Sequence, residues 1–279
     1  MNPADADRYR RVSPVRSLEL GSHRLTFIPD GSVQMDPRAW FPASTSGDWE
    51  GLGHYLDRDG FLAGSVGGLL VEHGDRAMLI DCGYGPRRLA ADISHPALGV
   101  LEGGRLIDSL EQVGRAPSTI ELVAFTHLHD DHVGWAIGAR TEFAHAPMLA
   151  TAEDWQSSAG TQLRGARRVT ATENQEIFPG VTVGFAPGHT DGHLTYRIAT
   201  GEQEVIAFGD VMHSPVQVGQ PDWAAVFDSS PQQAAASRRR LLADLGAGDV
   251  IGFGGHFADV VFGRVVPADT GLRWEPVTA

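Results

Sequence analysis

Three histidines and two aspartates are concentrated in the heptapeptide THLHDDH, residues 126–132, directly after the apolar run 120–125. Alternate residues of an extended chain point the same way, so His127 and His129 can reach one metal ion together. If the chain then turns into a helix, Asp131 and His132 are carried round to a second ion. Imidazole and carboxylate are ligands that hold Zn²⁺ or a similar first-row ion ready for hydrolysis. The heptapeptide therefore predicts a metal site.

Three more ligand-type residues follow later in the chain, each after an apolar run that predicts a strand. They are His189 in PGHTDGH, Asp210 in FGD and His256 in GGH, after the runs 181–186, 205–208 and 250–253. A ligand on the first loop residues after a strand is held by a rigid sheet and is open to substrate. We therefore expect these residues to join the first motif.

This ordered set of motifs resembles the metallo-β-lactamase superfamily, over about residues 25–266. The resemblance implies an α+β fold, the αββα sandwich, with two mixed β-sheets and helices on the outer faces; pattern alone predicts only a layered α/β protein. It also implies two divalent metal ions, which we expect to be Zn²⁺, with Fe, Mn or Co as alternatives. The implied ligands are His127, His129 and His189 for the first ion, Asp131, His132 and His256 for the second, and Asp210 as the bridge.

The resemblance further implies hydrolysis by water held between the two ions, with Asp131 and Asp210 in the catalytic centre. Two ions about 3.5–4 Å apart lower the pKa of such a water to near neutrality. The resulting hydroxide would attack a carbonyl carbon, and the second ion would take up the developing charge. The Gly-x-Ser-x-Gly motif of serine hydrolases does not occur in the sequence.

The block from Asp210 to Leu245 resembles the branch that holds N-acyl-homoserine lactonases and methyl-parathion-hydrolase-like enzymes. It implies cleavage of a lactone or a carboxylic ester. A glyoxalase II-like thioester hydrolase, a phosphotriesterase and a β-lactamase are alternatives, and outside hydrolysis so are a mononuclear iron dioxygenase and a binding module. His213 lies where some lactonases place a tyrosine near the reacting carbonyl. It either assists catalysis or is an ordinary loop histidine.

Three residues near these motifs have weaker signals. Asp81 ends a predicted strand, and the aspartate of this motif in relatives hydrogen-bonds a ligand, which would hold the imidazole in place; a simple turn residue is the alternative. Cys82 is expected to be buried filler. His193 follows His189 by four residues and is expected to support the loop, since the ligand set is complete without it.

Composition limits the partners and the cellular location. The 279 residues carry a net charge of −13, with arginine as the only basic side chain besides histidine. An acidic chain argues against nucleic acid binding, because phosphate contacts need a basic surface. The basic clusters 164–168 and 238–240 are expected on solvated helix faces. The absence of lysine is typical of GC-rich bacterial genomes.

No apolar run approaches the length that spans a membrane, and the single cysteine, Cys82, rules out an internal disulfide. We therefore expect a soluble, cytoplasmic protein that acts on a small, hydrophobic acyl compound. The sequence leaves open whether the chain forms a homodimer.

The chain is predicted to form a single domain, residues 1–279, with a flexible lead-in at 1–17. An edge strand is predicted at 24–28, a hairpin at 67–72 and 77–80, and helices at 105–113, after Thr151 and at 231–245. The segment 30–62 reads as a long loop with Trp40, Trp49 and Tyr55 among its aromatic residues. It either covers the sandwich as a packed cluster or forms an apolar wall above the metals.

Overall fold

The strands of this protein form two sheets. A computed structural model describes residues 6–91, 95–137 and 141–277. Among these residues, the first sheet contains β1 (Arg16–Leu20), β2 (His23–Met35), β3 (Leu62–His73), β4 (Arg76–Ile80), β5 (Arg88–Leu89), β6 (Leu98–Glu102), β7 (Val123–Ala124), β8 (Pro147–Ala150) and β9 (Arg167–Thr170). The second contains β10 (Glu176–Phe178), β11 (Val181–Phe185), β12 (Leu194–Ala199), β13 (Glu204–Ala207), β14 (Val250–Phe253), β15 (Phe262–Pro267) and β16 (Leu272–Pro276).

Both sheets mix parallel and antiparallel pairs. The first has the order β5-β6-β2-β3-β4-β7-β8-β9, with β1 beside the first part of β2. Strands β2, β3 and β4 are antiparallel, whereas β4, β7, β8 and β9 are parallel. The second sheet follows chain order, and β13 and β14 form its parallel pair among the described strands. Parallel neighbours end at the same edge, so residues that follow them lie close together.

Seven α-helices connect the strands among the described residues. They are α1 (Pro37–Trp40), α2 (Ser46–Glu50), α3 (Leu106–Gln112), α4 (Asp130–Val133), α5 (Ala152–Gln156), α6 (Val216–Gly219) and α7 (Pro231–Gly246). Thr151 caps α5 through its side chain, as expected, and α7 connects the parallel strands β13 and β14. The helices at 105–113 and 231–245 are therefore present at nearly the expected bounds.

Three apolar clusters separate the layers of the molecule. The central cluster lies between the sheets and draws on both, with Phe27 and Val71 from the first and Tyr196 and Ile251 from the second. A second cluster packs α3 against the opposite face of the first sheet. A third packs α7 against the outer face of the second sheet. This helix–sheet–sheet–helix arrangement confirms the expected αββα sandwich of the α+β class.

The N-terminal segment differs from the expected flexible lead-in. Residues 1–5 lie outside the described part, but residues 6–17 contain a short 3₁₀ helix, Arg8–Arg10, and the start of β1. Tyr9 is buried and donates its hydroxyl hydrogen to the carbonyl of Trp274. The segment is held because its arginines meet a buried carboxylate, Asp259. The sequence does not predict this contact, because Asp259 lies 248 positions from Arg11 and 243 positions from Arg16.

The segment 30–62 is also more structured than the expected loop. Its first residues belong to β2, and α1, α2 and the 3₁₀ turn Gly53–Tyr55 follow. Asp30 is fully buried, and its carboxylate accepts hydrogen bonds from five backbone N–H groups and from the indole of Trp135. This carboxylate holds together the loop after β4 and the start of α3, because it accepts hydrogen bonds from N–H groups of both segments.

Two smaller expectations were wrong. Residues 24–28 are not an edge strand, because β2 lies between β3 on one side and β1 and β6 on the other. The cluster 164–168 is not on a helix, since Arg167 and Arg168 belong to β9.

None of the described helices is both long enough and apolar enough to cross a membrane.

Candidate metal centre

Strand ends bring the seven expected ligand residues together. The heptapeptide follows β7, and His129 is the residue that precedes α4, so this short helix carries Asp131 and His132. His189 follows β11, while Asp210 and His256 follow the parallel neighbours β13 and β14. The sheets therefore fix the position of each ligand-type side chain, as expected from the apolar runs.

The first group contains three imidazoles and one oxygen of Asp210. The ligand-type atoms of His127, His129, His189 and Asp210 all lie within 4.8 Å of one another. His189 Nε2 is 3.0 Å from His129 Nδ1 and 3.4 Å from Asp210 Oδ2, and His127 Nε2 is 3.7 Å from the same oxygen. Four potential ligand atoms therefore lie close enough together to share one ion.

The second group contains Asp131, His132 and His256, whose ligand-type atoms also lie within 4.8 Å of one another. The Nε2 atoms of His132 and His256 are both 3.3 Å from Asp210 Oδ1. His256 Nε2 is 3.5 Å from Asp131 Oδ2, and His132 Nε2 is 3.8 Å from Asp131 Oδ1. Asp210 thus turns one oxygen toward each group.

Buried polar atoms without a partner indicate that both groups fit metal ions. His127 Nε2, His132 Nε2 and Asp210 Oδ1 are buried and have no hydrogen-bond partner among the described residues. A buried polar atom that is left unpaired costs free energy, and such atoms are rare unless an ion, a ligand or a water meets them. Histidine nitrogens and carboxylate oxygens converging in this way are a donor set for Zn²⁺ and similar first-row ions.

The opposite nitrogens of three imidazoles are fixed by polar neighbours. His132 Nδ1 is 2.9 Å from Asp81 Oδ2, His189 Nδ1 is 2.9 Å from Asp228 Oδ1, and His256 Nδ1 donates to the carbonyl of Ser65 at 2.8 Å. Such contacts orient a ligating imidazole and make its free nitrogen more basic. Asp81 also accepts from the N–H and hydroxyl of Thr126, so it ties β4 to the heptapeptide.

The charge states of the two groups differ in the metal-free protein. Burial lowers the pKa of His129 to about 4 and that of His127 well below its usual value. Burial also opposes a charge on His132 and His256, but the carboxylates around them, Asp210 foremost, raise both pKa values. His127 and His129 are therefore neutral and ready to bind an ion, whereas His132 and His256 favour a bound proton that an ion must displace.

His213 lies beside both groups. Its Nε2 is 3.2 Å from Asp210 Oδ2, and its ring packs on the edge of Trp40 and on His189. Neither ring nitrogen has a hydrogen-bond partner among the described residues. Burial lowers the pKa of His213, so the ring is neutral near pH 7. The side chain is thus free to contact a bound molecule.

His193 and Cys82 have the supporting positions that were expected of them. His193 is fully buried, and its Nε2 accepts a hydrogen bond from the N–H of Asp210. Gly209 has a φ of +49°, and a Cβ there would lie 2.9 Å from this same nitrogen, so the close approach requires glycine. Cys82 is fully buried in the cluster beneath α3.

A cavity of about 370 Å³ opens above the two groups. His129, Asp131, Asp210, His213 and His256 line its floor. Val33, Met35, Trp40, Leu98, Leu101 and Phe227 contribute apolar walls. Cavities of this size, mostly apolar with a few convergent polar groups, are typical of small-molecule sites.

The comparisons with known proteins agree with this geometry. The family described as the metallo-beta-lactamase superfamily matches residues 66–256, more than half of the chain. The chain belongs to the metallo-β-lactamase superfamily. The resemblance drawn from the sequence motifs is therefore confirmed, and the four-layered sandwich is the fold of this superfamily.

Relatives with curated names include hydrolases of several substrates. An N-acyl homoserine lactonase of Bacillus thuringiensis is 24% identical over 148 residues, which is 50% of this chain and 57% of the relative. A hydroxyacylglutathione hydrolase of Synechocystis is 28% identical over 142 residues, 50% of this chain and 51% of the relative. The chain thus spans little more than half the length of these relatives.

Solved structures of the superfamily match nearly the whole chain. The dizinc quorum-quenching lactonase AidC superposes with a TM-score of 0.82 at 19% identity, covering 96% of this chain and 99% of that one. The hydrolase AbOPH gives a TM-score of 0.81 at 22% identity, covering 97% and 99%. At these identities the likeness shows the fold alone.

Sequence reasoning missed two residues of this metallo-β-lactamase-fold centre. Asp228 orients His189, and Arg238 is a fully buried arginine that pairs with Asp228 at 3.4 Å and donates to the carbonyls of Val211 and Pro221. The expectation that cluster 238–240 lies on a solvated face was thus wrong for Arg238. Its helical spacing gave a usable signal, because it shares a face with Ala234, Leu241, Leu242 and Leu245, which are all buried.

Proposed function

We propose that this protein is a metal-dependent hydrolase that holds two divalent ions and opens a lactone or cleaves a carboxylic ester. The observation that supports it most is the orientation of Asp210, with Oδ1 facing His132 and His256 and Oδ2 facing His127 and His189. A carboxylate divided in this way between two sets of imidazoles is suited to bridge two ions.

The proposed ligands are the imidazole nitrogens and carboxylate oxygens that converge in each group. The first ion would be held by His127 Nε2, His129 Nδ1 and His189 Nε2, and the second by Asp131, His132 Nε2 and His256 Nε2. Two bound divalent ions would activate water as a nucleophile near neutral pH and polarise a carbonyl oxygen. We expect Zn²⁺, as in the dizinc lactonase of the same fold, with Fe, Mn or Co as alternatives.

Residues of the chain would orient the substrate and hold the attacking water in place. The ionised carboxylates of Asp131 and Asp210, whose pKa values are lowered by the surrounding imidazoles despite burial, would keep the ions and the attacking water in place. We assign to His213 Nε2 a hydrogen bond to the reacting carbonyl or to the leaving oxygen, which a neutral imidazole can donate. Its position on the cavity floor without a partner supports this role.

The apolar walls of the cavity support a hydrophobic acyl group as the substrate portion that binds there. The curated lactonase relatives cleave N-acyl homoserine compounds according to their names, and we extend that substrate class to this chain as a proposal. No arginine lines the cavity among the described residues, which disfavours the anionic substrates of a thioester hydrolase of glutathione. We also propose a single domain over 1–279, since one apolar cluster joins both sheets.

Metal analysis combined with a substrate panel tests the proposal. Protein purified without chelator should hold two ions per chain, Asp210→Ala should lose both, and His256→Ala should lose mainly the second. Asp130→Ala is the matched control, because this exposed aspartate neighbours the site but faces Arg87 instead. One iron per chain would favour the dioxygenase, and no ion in any preparation would favour a binding module.

The panel consists of lactones, aryl esters, phosphotriesters, a β-lactam and glutathione thioesters. We expect the lactones and esters with long acyl groups to have the highest kcat/KM. Turnover of glutathione thioesters with none of lactones or esters would show that the substrate class is wrong.

A further inference from the structure

Three arginines near the N-terminus, Arg8, Arg11 and Arg16, lie around the buried carboxylate of Asp259, and Arg11 and Arg16 donate hydrogen bonds to it. Arg16 donates from Nε and Nη2 to the two oxygens of Asp259 at 2.8 Å each, and Arg11 donates from Nε and Nη2 at 3.0 and 2.8 Å. The Asp259 side chain is 0% exposed, and its N–H donates to the carbonyl of Arg8. We call Arg11, Ser13 and Arg16 the N-terminal clasp.

The N-terminal clasp contacts the loop that carries His256. This loop connects β14 with β15, and Asp259 stands three residues after His256. The N–H of Ser13 donates to Ser65 Oγ at 2.8 Å, and Ser65 Oγ donates to the carbonyl of Ala258 at 2.9 Å. The carbonyl of Ser65 in turn accepts the Nδ1 hydrogen of His256. Clasp, strand β3 and imidazole thus form one connected network.

The backbone of this loop needs such outside support. Ala258 has a φ of +35°, in the left-handed region that residues with a Cβ adopt only at a cost. A strained residue persists when its surroundings fix it, and here the fixed points are the Ser65 hydrogen bond on one side and the Asp259–arginine contacts on the other. Without them, the loop would relax and move His256.

We propose that the N-terminal clasp positions His256 and thereby sets the affinity of the second metal site. The inference rests on the proposed function, because it requires His256 to bind an ion. Arg11, Ser13, Arg16, Ser65 and Asp259 are positioning residues, since none of them lines the cavity above the ions. The first site receives none of these contacts, so its affinity should be independent of the clasp.

The test compares metal affinities of the full-length variants Arg11→Ala/Arg16→Ala and Ser65→Ala with the wild type, using Zn²⁺ and Co²⁺ titrations. Loss of a contact that orients a ligand typically weakens metal binding by about 10–100-fold. We expect the dissociation constant of the second ion to rise within that range and that of the first to stay unchanged. Arg16→Lys, which keeps the charge but loses the two-point contact, should fall between the wild type and the double variant.

Arg115→Ala is the matched control. Arg115 also pairs with a mostly buried carboxylate, Glu72 at 2.6 Å, but at the other end of β3. It should lower thermal stability without changing either metal affinity. If the clasp variants weaken both ions equally, or leave both unchanged, the positioning role is wrong. Ser65→Ala carries the test alone if the double variant does not fold.

A second readout separates this inference from the proposed function. In ¹⁵N-histidine NMR spectra of the metal-free protein, the His256 Nδ1–H that donates to Ser65 should be protected from exchange in the wild type and exposed in the clasp variants. If the wild type takes up no second ion but this signal changes, the proposed function fails and the positioning role stands. If the signal is identical in all variants, the positioning role fails.

Discussion

At the scale of single residues, the side chains of Asp210 and His213 lie next to each other in the metal centre. Asp210 Oδ2 faces the first group of imidazoles and also lies 3.2 Å from His213 Nε2. The proposed set of metal ligands is complete without His213. The side chain of His213 nevertheless points into the cavity. A role in turnover and a role in metal binding therefore make different predictions for its removal.

His213→Ala should lower kcat by about 10²–10³-fold on the best lactone or ester, the usual contribution of a hydrogen-bond donor positioned at the developing oxyanion. Both ions should remain bound, because the seven proposed ligands are untouched. Steady-state kinetics with parallel elemental analysis measures the two effects. His145→Ala is the control, since His145 contacts the carbonyl of Ile120 away from the cavity. A wild-type rate in His213→Ala would make it an ordinary loop residue.

The affinities of the two ions should depend differently on pH. In the first site, burial lowers the pKa values of His127 and His129, that of His129 to about 4, so these two imidazoles are neutral near pH 7 and need lose no proton. In the second site, despite burial, carboxylates raise the pKa of His132 and His256, so a bound proton competes with the ion. Affinity for the second ion should therefore rise as the pH increases above the usual histidine pKa of about 6.5, and it should rise more steeply than the affinity for the first ion. Calorimetry in buffers of different ionisation enthalpy would reveal the protons released, and equal release at both sites would contradict the assignment.

At the scale of elements, the segment 30–62 contributes both to a packed cluster and to the apolar wall of the cavity, the two interpretations that the sequence left open. Trp40, Phe41 and Trp49 belong to a packed cluster, in which Trp49 lies 5.3 Å from the ring of Trp223. Trp40 also lines the cavity, where its ring lies 5.2 Å from Phe227. Tyr55 packs on Tyr9 and does not line the cavity.

Trp40→Ala should therefore change kcat/KM unequally across acyl chains, with the largest loss for long ones, because it removes apolar wall from the cavity. Removal of a buried large aromatic side chain typically costs about 3–5 kcal/mol of stability, so the free energy of unfolding must be measured as well. Trp49→Ala is the control: it should destabilise to a similar extent while the ratio of long-chain to short-chain kcat/KM stays at the wild-type value. Equal ratios in both variants would assign the segment a packing role alone.

The elements that carry ligands were predictable, and so was the contact of Asp81 with His132, whereas the other contacts behind the ligands were not. Apolar runs followed by His189, Asp210 and His256 mark strand ends, because both the alternation and the ligand types are local in sequence. The partners of the ligand imidazoles are distant: Ser65 is 191 residues from His256, and Asp228 is 39 from His189. The partner atom of Ser65 is its backbone carbonyl, and Asp228 has no spacing signal, so only the fold brings them to the site.

At the scale of the whole molecule, the proposed ions would tie the two sheets to each other. His127, His129, Asp131 and His132 follow a strand of the first sheet, whereas His189, Asp210 and His256 follow strands of the second. Each proposed site takes ligands from both sheets. An ion that binds only the folded arrangement stabilises it by mass action, so metal content and global stability should be linked.

Removal of the ions should therefore lower the Tm of the entire molecule in one transition. With free metal about 1,000 times above the dissociation constant, one site contributes about 4 kcal/mol. Each kcal/mol corresponds to about 2–4 °C in a domain of this size class. Calorimetric melting of the native and the chelator-treated protein measures the shift, and elemental analysis verifies that the ions have left. The Asp210→Ala variant should melt at the same temperature with and without chelator, because both ions lack their bridge. If the native protein loses its ions without any change in Tm, the ions do not connect the two sheets, and the stability of the sandwich resides in its apolar clusters alone.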